Sequence, residues 1–297
     1  MAASVSCSND GTDKSYPVAL VRRRRICDLD IEGYSMAANM TSFWFPKLRF
    51  LFDAGIPVIY RHMWSPTHIF ITHCHLDHIC NLPMLMARYG KSKDVKPVIH
   101  VPKEMLEVVK NFINTAFSMS KNRPADIARD YKIIGVTPGD RLQVRKGARK
   151  FFVDVFKCYH TTPCLGYGVT EVRRQRMDKY EDLSTAEMRQ LAQQRVPLTE
   201  EKKIGLFTFM GDSIPRCLDN VNLKEYKFHM VECTFLCEDD SDNAKRTGHT
   251  LFQDLKKVLV SNPGVKFVLY HFSCKYKPEE IEDFFSKEKL DNIEVWL

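Results

Sequence analysis

Residues 71–80 read ITHCHLDHIC, so His73, His75, Asp77 and His78 put three of the ten histidines and one aspartate into six consecutive positions. Imidazole and carboxylate are donors that suit zinc, with bonds of ~2.0 to 2.2 Å, and a catalytic zinc keeps one position open for water. Two ions ~3.5 to 4 Å apart can share a bridging hydroxide and clamp both the attacking and the leaving oxygen of a phosphoryl displacement. A metal lowers the pKa of its bound water from ~15.7 to ~7, which provides a nucleophile at neutral pH without a strong protein base. His73 and His75 alternate, as side chains on one side of an extended segment do, and Asp77 and His78 then turn into a helix beginning near residues 76–79. One turn can therefore serve both ions.

The elements that must position this turn follow from periodicity. LRFLFD (48–53), HIFIT (68–72), PVIHV (97–101), FFVDVFKCYHT (151–161), IGLFTFMGD (204–212), FHMVEC (228–233) and VKFVLYHF (265–272) read as strands. Residues 103–119, 250–262 and 278–287 read as amphipathic helices, so the chain is α/β. The candidate ligands fall where strands end: the 73–78 turn follows HIFIT, and His160, Asp212 and His271 close three later strands. Strand ends on one side of a sheet can converge on a single pocket. Seven such ligands in one place suggest two metals. His62, His68, His100 and His229 read instead as ordinary packed or surface histidines. Cys74, Cys80 and Cys274 read as small core residues, Cys74 because its alternation with His73 and His75 points it away from the ligand side.

Composition bounds the remaining possibilities. The 297 residues, 44% of them hydrophobic, suffice for one large domain or two small ones. Lys and Arg total 44 against 37 Asp and Glu, a net charge of +7 that favours a polyanionic partner without requiring one. Ten scattered cysteines without a CxxC pair, and no signal-peptide-like segment, predict a reduced intracellular compartment, cytoplasmic or nuclear. No apolar run approaches the ~20 residues that cross a bilayer, and the most lipid-like stretch, 82–86, is interrupted by Pro83. A soluble protein without a membrane partner is expected. Residues 1–15 look like a disordered tail, and Arg22 to Arg25 like a charged strand edge rather than a nuclear-import or RNA-contacting cluster.

HCHLDH matches the HxHxDH signature of the metallo-β-lactamase superfamily. With IEGYSMAANMTSFWFPKLRFLFDAG, FMGDS, VECTFL, KRTGHT and YHFSCKYKPEEIED, in that order, the chain from about Ile31 onward resembles the ribonuclease Z family of tRNA 3′-processing endonucleases, most closely its short plant-type forms. HxHxDH alone identifies only the superfamily; the ECTF and GHT segments discriminate further. The resemblance implies that His73, His75 and His160 hold one zinc, that Asp77, His78 and His271 hold a second, and that Asp212 bridges them. It implies that Asp53 orients the ligand turn and that Glu232 and His249 form a proton-transfer pair. A histidine kept basic by a carboxylate meets a physical need, because the departing ribose 3′-oxygen leaves poorly unless protonated.

One departure falls on substrate binding. Many family members carry a long Gly/Pro-rich arm between the third histidine motif and the GDS-type aspartate, and this chain has none. Arg173, Arg174, Arg176 and Lys179, with Arg189 and Arg195, can track phosphates from a reduced arm at about 166–203 or be a solvated helical face. The expected fold over residues 16–297 is therefore a four-layer αββα sandwich of two mixed sheets with outer helices. The expected activity is zinc-dependent removal of the 3′ trailer of precursor tRNA, leaving a 3′-hydroxyl, with two Zn2+ per subunit (Mn2+ or another divalent ion serving instead) and Asp77 placing the attacking water. Family members are usually homodimers. The alternatives are another superfamily hydrolase, acting on small phosphodiesters or thioesters, and a catalytically silent RNA-binding protein.

Overall fold

The computed structural model describes residues 21–56, 65–89, 96–122, 124–126, 130–146 and 149–297; the expected tail over residues 1–15 and His62 lie outside them. Strands form where apolar side chains recur every second residue. In Leu29–Met36 buried and half-buried positions alternate, and in Arg149–Cys158 Phe151, Val153 and Val155 are buried between half-buried neighbours. That period turns one face of each strand to a core.

The first sheet runs β1 (Arg22–Ile26), β2 (Leu29–Met36), β3 (Met40–Phe45), β4 (Phe50–Phe52), β5 (His68–Phe70), β6 (Val98–Pro102) and β7 (Ile133–Val136) in spatial order. The second is composed of β8 (Arg141–Lys146), β9 (Arg149–Cys158), β10 (Cys164–Arg176), β11 (Thr199–Met210), β12 (Phe228–Glu232), β13 (Lys266–Tyr270) and β14 (Ile293–Val295), also in sequence order. Pairing is antiparallel from β1 to β4 and parallel from β4 to β7, and antiparallel from β8 to β11 and parallel from β11 to β14. Both sheets thus follow one pattern of strand sense, although no sequence repeat announces it. Backbone pairing constrains burial period and strand length, not residue identity.

Between the sheets, Phe43, Phe45 and Phe52 meet Phe207, Phe209 and Tyr270, and the Phe45 and Phe207 rings stack at 4.1 Å. Each such ring removed from water contributes ~1.5–3 kcal/mol. Helices α1 (Leu76–Ile79), α2 (Leu82–Tyr89) and α3 (Leu106–Lys121) share a second cluster with Leu51, Ile69 and Ile99 on the outer face of the first sheet. The antiparallel β10–β11 extension of the second sheet carries α4 (Thr185–Gln193), and α5 (Ser241–Thr247) precedes Gly248. On the outer face of the second sheet, α6 (Phe252–Ser261) and α7 (Pro278–Glu288) bury Phe252, Leu255, Leu259, Ile281 and Phe285 against Val231, Phe267 and Leu269. The expected four layers are all present.

Several expectations change in detail. The strand expected from residue 204 begins at Thr199, because β11 continues its antiparallel pairing with β10 as far as Thr199 opposite Arg176. The expected arm is shorter than 166–203: residues up to Val172 also pair with β9 and belong to the second sheet, and only from Arg173↔Lys202 onward is it a two-stranded ribbon tipped by α4, whose start is capped reciprocally by Ser184 and Glu187. Within it Arg173 pairs with Glu171 at 2.7 Å, Arg176 donates to the Glu181 carbonyl at 3.3 Å, and Lys179 lies over the Tyr180 ring. Arg174 is exposed and forms no ion pair among the described residues. Arg22 to Arg25 form the edge strand β1: Arg23 pairs with Glu32, and Arg22 and Arg24 donate to the carbonyls of Leu297 and Val295. Cys80 and Cys274 are exposed rather than core residues, one capping the short α1 and the other in the turn after β13, while Cys74 packs toward the α1–α3 cluster as expected. His229 is buried between Thr208 Oγ1 and the Leu223 carbonyl, and His68 and His100 face each other at 3.0 Å. The nine described cysteines are free, and no described helix is long and apolar enough to cross a membrane.

Candidate metal centre

The seven expected ligands lie at or just beyond strand ends, and the fold brings all of them together. His75 Nδ1 is 3.2 Å from His73 Nε2 and 3.2 Å from His160 Nε2. Beside this trio, His78 Nε2 is 3.2 Å from His271 Nε2, and Asp77 Oδ2 lies 3.6 and 3.5 Å from the same two nitrogens. Asp212 Oδ2 spans the two groups, at 3.6 Å from His73, 3.3 Å from His78 and 3.4 Å from His271. A tetrahedral ion with bonds of ~2.0–2.2 Å separates its donors by ~3.3–3.6 Å, so these spacings match an ion better than a set of mutual contacts.

The hydrogen bonds of the outer nitrogens fix which lone pair faces inward. Asp53, buried at the end of β4, accepts from the Thr72 amide (2.8 Å), from Thr72 Oγ1 (2.9 Å) and from His78 Nδ1 (2.7 Å). Because the Thr72 hydroxyl is spent on Asp53, it accepts from His73 Nδ1 at 3.0 Å. In the same way His160 Nδ1 donates to the Gly248 carbonyl (3.0 Å), and His271 Nδ1 to Thr234 Oγ1 (3.2 Å), whose own proton goes to Glu232 Oε2 at 2.7 Å. His73, His78, His160 and His271 therefore all present Nε2 to the centre, whereas His75 presents Nδ1. Asp77 Oδ2 is held by the Ala38 amide at 3.0 Å. Thr72, Thr234, Ala38 and the Gly248 carbonyl escape sequence reasoning, although three of these four are next to a ligand, to Glu232's neighbour or to His249 in sequence.

Two site residues hold left-handed backbone that non-glycine residues rarely adopt, Asp53 at φ 57° and His271 at φ 64°. Such conformations cost ~1–3 kcal/mol each and persist where the surroundings impose them. Gly55 has a different constraint: a Cβ there would lie 1.7 Å from the Asp77 carbonyl oxygen, because the α1 turn rests directly on residues 54–55. The obstacle is backbone, so Gly55→Val must displace the ligand turn. The variant is expected to purify with less than half the wild-type metal content by elemental analysis and to melt earlier; wild-type metal content would show that the turn can move without losing its ions.

Charge in the centre calls for cations. Asp212 Oδ1 is buried without a hydrogen-bond partner, a condition that costs several kcal/mol unless a positive charge meets it. Burial lowers the pKa of His73, His75 and His160, which keeps them in the neutral form that binds metal. Burial also acts against protonated His78, yet Asp212 and Asp53 raise it well above the ordinary histidine value. A position that attracts a proton between two carboxylates equally attracts a metal ion. The residues present fit divalent cations.

Next to the ligands stands a second arrangement. His249 Nδ1 is 2.9 Å from Glu232 Oε1. That carboxylate also accepts from the amides of Ser213 (3.1 Å), Thr250 (3.1 Å) and Thr234 (3.0 Å). Burial pushes the Glu232 carboxyl up, but His249 and its hydrogen bond pull it below the ordinary glutamate value. Burial alone would lower His249; the Glu232 charge and hydrogen bond raise it instead to about 9. The His249 ring lies 4.8 Å from that of His160 and 5.4 Å from that of His271. His249 Nδ1 approaches Asp212 Oδ2 only to 3.9 Å and is engaged by Glu232, while Nε2 forms no hydrogen bond among the described residues. Glu232 thus fixes His249 by Nδ1 and leaves Nε2 unengaged among the described residues.

Fold and site together define the class: the family model of the metallo-beta-lactamase superfamily matches residues 39–166. The architecture recurs in the metallo-beta-lactamase fold protein YhfI from Bacillus subtilis (TM-score 0.55, 14% identity, 89% of this chain and 92% of that one). It recurs also in yeast PDE1 (TM-score 0.52, 14% identity, 91% and 92%). Relatives in sequence are more specific. tRNase Z TRZ1 of Arabidopsis thaliana is 30% identical over 85% of this chain and 88% of its own length, and the nuclear ribonuclease Z of Triticum aestivum is 29% identical over 57% and 90%. The chain belongs to the tRNase Z, or ribonuclease Z, family.

Proposed function

We propose that this protein removes the 3′ trailer of precursor tRNA by hydrolysing one phosphodiester, leaving a 3′-hydroxyl on the tRNA and a 5′-phosphate on the trailer. The observation that carries the reading is the seven-residue cluster around Asp212 with the Glu232–His249 pair at its edge, in a chain of the tRNase Z family. His73, His75 and His160 would hold one zinc, Asp77, His78 and His271 a second, and Asp212 both; manganese or another divalent ion would suit the same donors. Bound there, the ions supply Lewis-acid stabilisation of phosphoryl oxygens and make water available as a nucleophile near neutral pH.

The chain's own groups do the rest. Asp53, Thr72 and Thr234 keep the ligating imidazoles in one tautomer and orientation. Asp77, its Oδ2 fixed by Ala38, orients the attacking water by accepting its proton in a hydrogen bond. As the water oxygen bonds to phosphorus, the bond to the ribose 3′-oxygen breaks, and His249 Nε2 gives that oxygen a proton while Glu232 steadies the imidazole. The ribbon at 173–202 is the proposed RNA-contacting arm, with Arg174 one of its cations that form no ion pair among the described residues. A homodimer in the cytoplasm or nucleus is the assembly we favour, on the pattern of the family.

The test is incubation of 3′-extended tRNA with the wild type and with Asp77→Ala. One cut after the discriminator nucleotide is expected for the wild type, and near-complete loss for the variant. Equal rates would remove Asp77 from the mechanism. A wild type that turns over a small chromogenic phosphodiester but leaves precursor tRNA intact would favour a small-substrate hydrolase and overturn the reading.

A further inference from the structure

A cleft of ≈ 660 Å³ is lined by His160 and Gly248 and, with them, by Lys157, Tyr159 and Lys245. Arg216 adds a third cation: its guanidinium stands 4.9 Å from the centroid of the Tyr159 ring, and Lys157 Nζ 5.1 Å from the same centroid. Lys157, Arg216 and Lys245 are exposed, and none of them forms an ion pair with a carboxylate among the described residues. Some basic residues elsewhere, Arg173, Lys227, Lys266 and Lys256 among them, each hold a carboxylate, whereas Arg174, like Lys157, Arg216 and Lys245, holds none among the described residues. Glu104 is the one acidic residue in the cleft lining. Unpaired cations beside a centre that acts on a polyanion are the groups able to meet its phosphates.

The three cations are also placed with respect to the cut. The Tyr159 amide donates to Ser213 Oγ at 2.7 Å, and its carbonyl accepts from the Ile214 amide at 3.3 Å. Tyr159 is thereby tied on one side to the residue after Asp212 and is itself followed by His160. A ring so held steadies Lys157 and Arg216 through their cation–π contacts. Gly248, which lines the cleft, immediately precedes His249, and the His249 ring is 4.8 Å from that of His160. His249 is the group that protonates the departing ribose 3′-oxygen, which belongs to the RNA on the 5′ side of the cut. The strand bearing that oxygen must leave the centre on the His249 side, where this cleft lies.

We propose that the cleft beside His160 holds the RNA backbone immediately 5′ of the scissile phosphate, with Lys157, Arg216 and Lys245 meeting its phosphates and Tyr159 as a positioning residue for two of them. The proposal rests on the precursor-tRNA reading above and gives that reading a polarity: the tRNA body enters on this side and the trailer leaves on the other.

The test uses the full chain with Lys157→Gln, Arg216→Gln and Lys245→Gln combined. KM and kcat for 3′-extended tRNA are measured across salt concentrations. The products are tested as inhibitors: an acceptor-stem minihelix ending in a 3′-hydroxyl, and a trailer oligonucleotide with a 5′-phosphate. Neutralising about three phosphate contacts should raise KM at low salt by ~10-fold or more and flatten the slope of log KM against log salt by ~2. Inhibition by the minihelix should weaken in parallel while that by the trailer stays near the wild-type value. The charge-retaining combination Lys157→Arg, Arg216→Lys and Lys245→Arg should restore the slope, and Tyr159→Leu, but not Tyr159→Phe, should lose part of it with metal content intact. A wild type that cuts while the triple variant keeps both KM and slope overturns this inference alone. Loss of trailer inhibition with the minihelix unaffected overturns the polarity. A wild type that does not cut precursor tRNA overturns the functional reading itself.

Discussion

The Asp212→Ala protein should purify with less than one equivalent of metal and cut 3′-extended tRNA at least ~10³-fold more slowly, a barrier increase of ~4 kcal/mol. Asp212 Oδ2 lies within 3.6 Å of donors from both groups and is the carboxylate that spans them. Burial pushes its carboxyl up, but His271, His78 and His73 hold it well below the ordinary aspartate value, and the charge is present throughout the neutral range. A readout independent of activity follows. Ions that bind only the folded wild type raise its stability by RT ln(1 + [M]/Kd), ~4 kcal/mol at a thousandfold excess over Kd. Wild-type protein should therefore melt well above its chelator-treated form, and in Asp212→Ala that gap should nearly vanish. The chelated forms should differ little, or the variant should be the more stable, because the substitution removes a buried oxygen that has no partner without metal. A persistent metal-dependent gap in Asp212→Ala would mean that the ions are held elsewhere.

The second large effect is expected at His249. His249→Ala should lower kcat by ~10²-fold or more while metal content stays at the wild-type level. Glu232→Gln should reproduce most of that loss, since an amide holds the imidazole less firmly and no longer keeps it basic. The double variant should be little worse than His249→Ala alone, because the two act as a unit. His249, Asp212 and His160 lie close enough together to admit another mode of metal binding. Loss of metal on removing His249 would therefore move it from the proton donors to the ligands, and additive losses in the double variant would separate Glu232 from it.

What could be read from the sequence was local. The 73–78 turn declares itself because six neighbouring positions carry four donors, and α1 begins where the alternation of His73 and His75 gives way to helical spacing. α6 and α7 show a clear apolar face, with Phe252, Leu255 and Leu259 on one turn-by-turn stripe. β1, β14 and the ribbon of β10 and β11 are harder to see. β14 is three residues long and is fixed by the buried Trp296, whose indole donates to the Gly33 carbonyl. β10 carries glycines at 166 and 168, poor strand formers tolerated because Met210 and Tyr226 occupy the space a Cβ would need. Cys80 and Cys274 show the limit of composition: a thiol beside ligands in sequence is as compatible with the surface as with the core.

By itself the sequence determined the donors, their order along the chain and the α/β alternation, because residue type and hydrophobic period are properties of short segments. Tertiary structure alone decided that Asp212 faces both histidine groups, that Thr72, Thr234 and the Gly248 carbonyl set the tautomers, and that Lys157 and Lys245 line the cleft beside His160 with Arg216 stacked on its Tyr159. Each of these depends on distances between strand ends far apart in sequence, and those distances are set by how two sheets pack through a shared aromatic core.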